Sequence, residues 1–140
     1  MNFETILKLF LALLLGGIIG LERKKKKKEA GFQTYSLVCL GSCLFTILGF
    51  SFLETTKETF DILRIIQAVA IGMGFIGAGS IVFYQDKIKG LTTAAGLWAT
   101  SGIGIAIGAG FYFLGIFSTF LILLILAGFS LIEKRMFEEK

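Results

Sequence analysis

Histidine and proline are both absent from this chain of 140 residues. Without histidine, the side chain that most often works as a general acid or base near neutral pH is missing. No serine, cysteine or threonine has an evident base beside it, so nucleophilic catalysis has no candidate. No catalytic residue, cofactor or metal site is expected, and the chain does not read as an enzyme. Cysteine is scarce too. Cys39 and Cys43 are the only two, one helical turn apart, with neither histidine nor carboxylate near them to complete a metal site. Adjacent turns of one helix also give poor disulfide geometry, so both read as buried structural thiols. Charge is missing over long stretches: none occurs from Ile65 to Tyr84, and none from Leu91 to Ile132.

What remains is apolar. Hydrophobic residues make up 55% of the chain and the mean hydropathy is +0.83. A soluble domain of this size would struggle to bury that much apolar surface, whereas lipid solvates it. A spanning helix needs about 20 apolar residues to cross ~30 Å of hydrocarbon. The first uncharged run fits one span, and the second fits two with a break near Gly108–Gly110. The expected fold is therefore all-α, a polytopic membrane bundle of five helices forming one transmembrane domain over residues 1–140. The spans are placed at about 3–21, 35–53, 62–84, 91–109 and 111–132. Orientation follows from Lys and Arg in the loops. Residues Arg23–Lys28 are all basic, and Lys87, Lys89, Lys134, Arg135 and Lys140 fall on the same side, against Lys57 alone on the other. This predicts the N-terminus out and the C-terminus in. The basic run reads as an orienting loop beside an anionic leaflet rather than as a nucleic-acid contact.

Glycine is abundant from Ala70 to Gly104. Gly72, Gly74 and Gly77 spell a dinucleotide-binding fingerprint, but they lie inside an unbroken apolar run. No strand precedes them, and Asp86 is too close to serve the ribose. Helical spacing fits better: Ala70, Gly74 and Ala78 form one small-residue stripe, and Ala95, Ala99, Gly102, Ala106 and Ala109 form another. Such faces let helices approach closely in lipid, so the third and fourth spans are expected to form a tight antiparallel hairpin. Gly16 and Gly20 make a similar pair in the first span. Gly77 and Gly79 also offer a place for local unwinding, which membranes tolerate where backbone lines a cavity.

Few polar residues interrupt the spans. Arg64 lies in the first turns of the third span, with Asp61 a turn earlier and Gln67 a turn later. It reads either as a paired or cavity-lining cation or as one snorkelling to the interface. Glu22 and Arg23 close the first span, where they can pair with neighbours or with Asp86, Lys87 or Lys89. Thr92 and Thr93 are placed to cap the fourth helix, and Trp98 falls inside that span rather than at its edge. No carboxylate lies mid-span, so a Mg2+ pathway would have to rely on a hydrated ion or on backbone carbonyls.

Several of these segments, in order, carry a resemblance: LLGGIIGLER (Leu14–Arg23), AGFQTY (Ala30–Tyr35), Arg64 to Gln67 leading into GFIGAG (Gly74–Gly79), and GLTTAA (Gly90–Ala95) followed by Leu97 and Trp98. The chain resembles the bacterial MgtC/SapB family of inner-membrane proteins. The residues matching its motifs are Gly20, Glu22, Arg23, Arg64, Gln67, Gly74, Gly77, Gly79, Gly90, Thr92, Thr93 and Trp98. The resemblance implies a multi-pass inner-membrane protein tied to low magnesium, acid resistance or survival in host cells, with some members restraining the membrane ATP synthase. Where the family often has Arg and His, this chain has Gln33 and Tyr35. Many members continue into a soluble C-terminal domain; with the chain stopping at Lys140, such regulation is not expected in cis. The leading expectation is a stress-adaptation protein that regulates other membrane proteins through its small-residue faces, as a homodimer. The rival is a channel or transporter for Mg2+, another ion or a small solute, with Arg64 and Gln67 at an outer vestibule and Gly74–Gly79 as its flexible element.

Overall fold

The computed structural model describes residues 2–56 and 61–129; most of the second loop, the end of the fifth span and the C-terminal tail lie outside the described residues. The chain forms α1 (Phe3–Lys25), α2 (Phe32–Thr56), α3 (Ile62–Gly79), a hairpin of β1 (Val82–Tyr84) and β2 (Lys87–Lys89), α4 (Leu91–Gly108) and α5 (Tyr112–Leu123). The last of these continues as a π-helical stretch, Leu124–Phe129. Among the described residues, five helices are long and apolar enough to cross a membrane.

Two of them grip a third. α2 lies between α1 and α4, and both neighbours present glycine to it. A Cβ at Gly16 would sit 2.5 Å from the Tyr35 carbonyl and 2.7 Å from Cys39 Cβ; one at Gly20 would sit 2.7 Å from Phe32 Cα. On the other side, a Cβ at Gly108 would meet the Cys43 carbonyl and Thr46 Cβ, each at 2.8 Å, and one at Gly104 would meet Ser42 Cβ at 2.8 Å. Without side chains at these positions, backbones come into direct contact and dispersion acts over the whole interface. Cys39 and Cys43 are fully buried in this contact as free thiols. The contact stripe on α4 is thus Gly96, Thr100, Gly104 and Gly108, four residues apart. The expected stripe is packed only in part: Ala106 is buried and Ala99 and Ala109 are half-buried, but Ala95 and Gly102 are exposed, and a Cβ at Gly102 would meet nothing within 4 Å.

α3 stands at the edge, with only Met73 and Gly77 buried. Gly77 faces Ala94 of α4, but Gly74 and Ala78 are exposed, so the expected α3–α4 small-residue seam is confined to one point. Near its start, α3 touches α2 where Ile65 lies over Gly49. The third span also ends sooner than expected. Residues 82–84 leave the helix and pair with 87–89 in the register Val82↔Lys89, Phe83↔Ile88, Tyr84↔Lys87. An apolar run alone does not separate helix from strand, and this one is β-branched and aromatic. The turn places Gln85 and Asp86 at φ 47° and 58°, the double positive φ of a tight hairpin.

Gly90 closes the hairpin and starts α4. Its φ is +92°, and a Cβ there would collide with the Ser80 carbonyl oxygen, so only glycine fits. It is also the N-cap residue of α4, with no side-chain capping bond. Thr92 and Thr93, expected as caps, lie within the helix instead. The break between α4 and α5 falls at Ala109–Phe111, with Gly110 at φ +87°.

The two α4 glycine faces give a matched test. Gly104→Ala should destabilise the detergent-solubilised protein by about 2 kcal/mol, a typical overpacking cost. Gly102→Ala should leave its thermal midpoint unchanged or slightly raised.

Candidate functional site

Charge inside the bundle gathers at its lysine-rich end. α1 carries Glu22 and Arg23 on its last turns, and Lys26 follows one turn after Glu22. The Glu22 carboxylate meets Lys26 Nζ at 3.0 Å and Arg23 Nη1 at 3.7 Å. Arg23 is only 2% exposed. It lies on the α1 face that packs on α2, in line with Ile19, Gly16 and Ala12, which is why a cation is carried into the interior. Its guanidinium lies beside the Tyr35 hydroxyl. Tyr35 is fully buried and donates to the Thr93 carbonyl of α4 at 3.4 Å, with its ring end against Gly96. Lys26 Nζ also donates to the Leu126 carbonyl. That carbonyl belongs to the π-helical stretch Leu124–Phe129.

The cluster therefore ties α1, α2, α4 and the π-helical stretch together through two cations, one anion and the Tyr35 hydroxyl. The contacts of Glu22 are ionic rather than aligned hydrogen bonds: both its oxygens, like Arg23 Nε and Ser36 Oγ, are buried without a hydrogen-bond partner. At the opposite end a smaller group joins α1 to α5, with Lys8 2.9 Å from Glu4 and the Tyr112 hydroxyl donating to Glu4 at 3.1 Å. Between the two ends, the buried hydroxyls turn back on their own helices. Ser42 donates to Val38, Thr46 to Ser42, Thr100 to Gly96 and Thr119 to Gly115, all to the carbonyl four residues earlier.

A second feature lies between α2 and α3. Because the helices touch at Gly49 and Ile65 and α3 otherwise leans on α4, they leave a cleft of about 1160 Å³. Leu37, Gly41 and Phe45 line one wall and Ala68, Gly72 and Ile76 the other, with Gln33 and Thr34 at one end and Arg64 at the other. Arg64 is exposed. The expected pair with Asp61 does not form: that carboxylate accepts from the Leu63 amide as a helix cap, and Arg64 has no ion pair among the described residues.

The expected site residues thus fall in separate places. Glu22, Arg23 and Thr93 meet around Tyr35. Arg64 stands at the cleft, while Gln67 is exposed outside its lining. Gly20 packs on α2, Gly77 on α4, and Gly74 and Gly79 face open space. Thr92 and Trp98 are exposed, Trp98 at 55% on the outer surface of α4. No ion pair joins Glu22 or Arg23 to Asp86, Lys87 or Lys89; Lys89 instead lies over the Tyr84 ring, 4.6 Å from its centroid. Sequence reasoning missed Tyr35 and Lys26. Tyr35 stood out only as a departure from the resemblance, and Lys26 was hidden within a uniform run of lysines.

Removing one member of a buried ionic group costs more than removing the pair. Glu22→Leu should therefore destabilise the protein by about 3 kcal/mol, and adding Arg23→Met should recover most of that loss, read by thermal unfolding in detergent.

The MgtC family profile matches residues 9–135. Escherichia coli YhiD is 42% identical over 97% of this chain and 65% of its own length. Bacillus subtilis SapB is 41% identical over 78% of this chain and 49% of its own length. Salmonella typhimurium MgtC is 37% identical over 86% of this chain and 50% of its own length. The chain spans about half to two-thirds of the length of these relatives. No solved structure matches it. The match takes in α2 and α4 whole, the Glu22–Arg23 cluster, the α2–α3 cleft and the hairpin, so the architecture described above is that of a family domain: the chain belongs to the MgtC family.

Proposed function

We propose that the protein is a regulatory component of the bacterial inner membrane that serves adaptation to low magnesium or acid stress by lateral contact with other membrane proteins, the ATP synthase among them. The observation that carries this reading is the closed interior. Glycine brings α1, α2 and α4 into backbone contact, the buried hydroxyls between the ends bond to their own helices, and charged groups lie only near the ends of the bundle. A conduction path needs polar groups or carbonyls turned towards a lumen, and such a lining is not found inside the bundle among the described residues. What is left open is lateral: α3 presents Gly74 and Ala78 outwards, and α4 presents Ala95 and Gly102. Small residues of this kind suit close approach by another helix, either in a homodimer or in a complex with a different membrane protein.

A transport reading has one observation in its favour, the α2–α3 cleft with Arg64 at one end, and the name of YhiD provisionally assigns that relative to magnesium transport. In proteoliposomes the regulatory reading expects no saturable flux of Mg2+ or other ions. Saturable flux abolished by Arg64→Ala would overturn it. In cells, cross-linking from Ala95 or Gly74 should recover a second copy or an ATP-synthase subunit.

The orientation proposed with this reading places the N-terminus outside and the lysine-rich end in the cytoplasm, in keeping with the excess of basic residues there. An impermeant amine reagent applied to intact cells should leave Lys24–Lys28 unlabelled and modify them only after permeabilisation.

A further inference from the structure

The α2–α3 cleft has the shape and charge of a lipid site. Its α3 wall includes the stripe Arg64, Ala68, Gly72 and Ile76, four residues apart, with Ile65, Val69 and Met73 beside it. A Cβ at Gly72, or at Gly41 across from it, would meet nothing within 4 Å, so the track is open along its middle. Ser42, a polar residue of its floor, is already bonded to Val38. From Arg64 to Ile76 is twelve residues, about 18 Å of helix at 1.5 Å per residue. Half of the hydrocarbon thickness is about 15 Å. The α2 wall continues past this stretch to Thr34 and Gln33, so the length from Arg64 to Ile76 is the part of the cleft that one leaflet's lipid would occupy; Arg64, the only charged residue of the described lining, stands at its end, where a headgroup would lie.

We infer that the cleft binds one anionic phospholipid, its phosphate held by the Arg64 guanidinium and its acyl chains lying over Ala68 and Gly72 towards Ile76. Apolar surface alone does not select an occupant within a bilayer, because lipid tails are as apolar as the walls. Selection comes from the charge at the mouth. Arg64 has no carboxylate partner among the described residues, and a guanidinium pairs with phosphate through two parallel hydrogen bonds. A partner helix would meet the same apolar walls without an anion to match that cation. The assignment does not depend on the regulatory reading, since a transporter with this cleft would hold the same lipid.

The test uses the full chain purified in a mild detergent, with phosphatidylglycerol and phosphatidylcholine as probes. Native mass spectrometry should show one phosphatidylglycerol retained in preference to phosphatidylcholine, and phosphatidylglycerol should raise the thermal midpoint more. Arg64→Gln should lower that preference roughly fivefold to tenfold, in line with one basic residue near a membrane surface. Arg64→Lys should keep part of it. Gly72→Phe fills the track at an open position and should reduce retention of both lipids while the circular dichroism spectrum stays unchanged. Retention of phosphatidylglycerol by Arg64→Gln at the wild-type level would overturn the inference. So would a photoreactive residue at position 68 that cross-links in membranes to a protein segment rather than to lipid.

Discussion

Backbone contact between α2 and the glycine stripes of α1 and α4 is the constraint on which the rest of the bundle depends. In lipid there is no hydrophobic drive to press helices together, since tails and side chains are equally apolar. What holds them is dispersion, weak for each atom pair and large when surfaces fit closely. Gly16 and Gly20 on one side and Gly104 and Gly108 on the other supply that fit, because any Cβ there would overlap the α2 backbone or its first side-chain atoms. Cys39, Cys43, Ser42 and Thr46 are compact enough to lie in the seams, and the hydroxyls among them are satisfied within their own helix. The same contact fixes α4 at the centre, between α2 on one side and α3 and α5 on its flanks.

The buried charges follow from this arrangement. α1 keeps one face buried from Ala12 onwards, so its last turns carry Arg23 into the interior along the line set by Ala12, Gly16 and Ile19. An isolated guanidinium there would be costly. Glu22 beside it and the Tyr35 hydroxyl on α2 offset that cost, while Lys26 reaches across to the Leu126 carbonyl. The π-helical stretch and the ionic cluster are thus two parts of one junction. It ties the final span to the first at the lysine-rich end, as Glu4, Lys8 and Tyr112 tie α5 to α1 at the other.

Much of this was legible in the sequence, for physical reasons that differ by level. The two charge-free runs marked the last three spans because an unpaired charge is costly in a bilayer interior, and the apolar runs before them marked the first two. Gly16 and Gly20 marked a close contact because their spacing puts both on one face. Which α4 face would pack was not legible. The stripe from Ala95 to Ala109 and the stripe from Gly96 to Gly108 are only one or two residues out of register, and both are small at helical spacing. Only the partner decides between them: Cys39, Ser42 and Cys43 stand opposite Gly104, and nothing stands opposite Gly102. The hairpin was hidden because Ile81 to Tyr84 extend an apolar run without a break in hydropathy, although their β-branched and aromatic character, with Gly90 beyond, pointed to strand.

α3 is the exception within the bundle, and its exclusion from the glycine contacts has a structural consequence. It is held near its start by Ile65 over Gly49, near its end by Gly77 against Ala94, and at its C-terminus by the short hairpin that Gly90 closes against Ser80. Only two of its residues are buried, so few contacts oppose a change in its tilt, whereas a change in α2 would break two glycine seams at once. The cleft lies on this weakly held side, and so do Arg64 and the outward glycines. Whatever occupies that side, lipid or protein, acts on a helix with only two buried residues. That is where binding energy can change shape: differential contact with an element of low local stability shifts its position at little cost to the remainder.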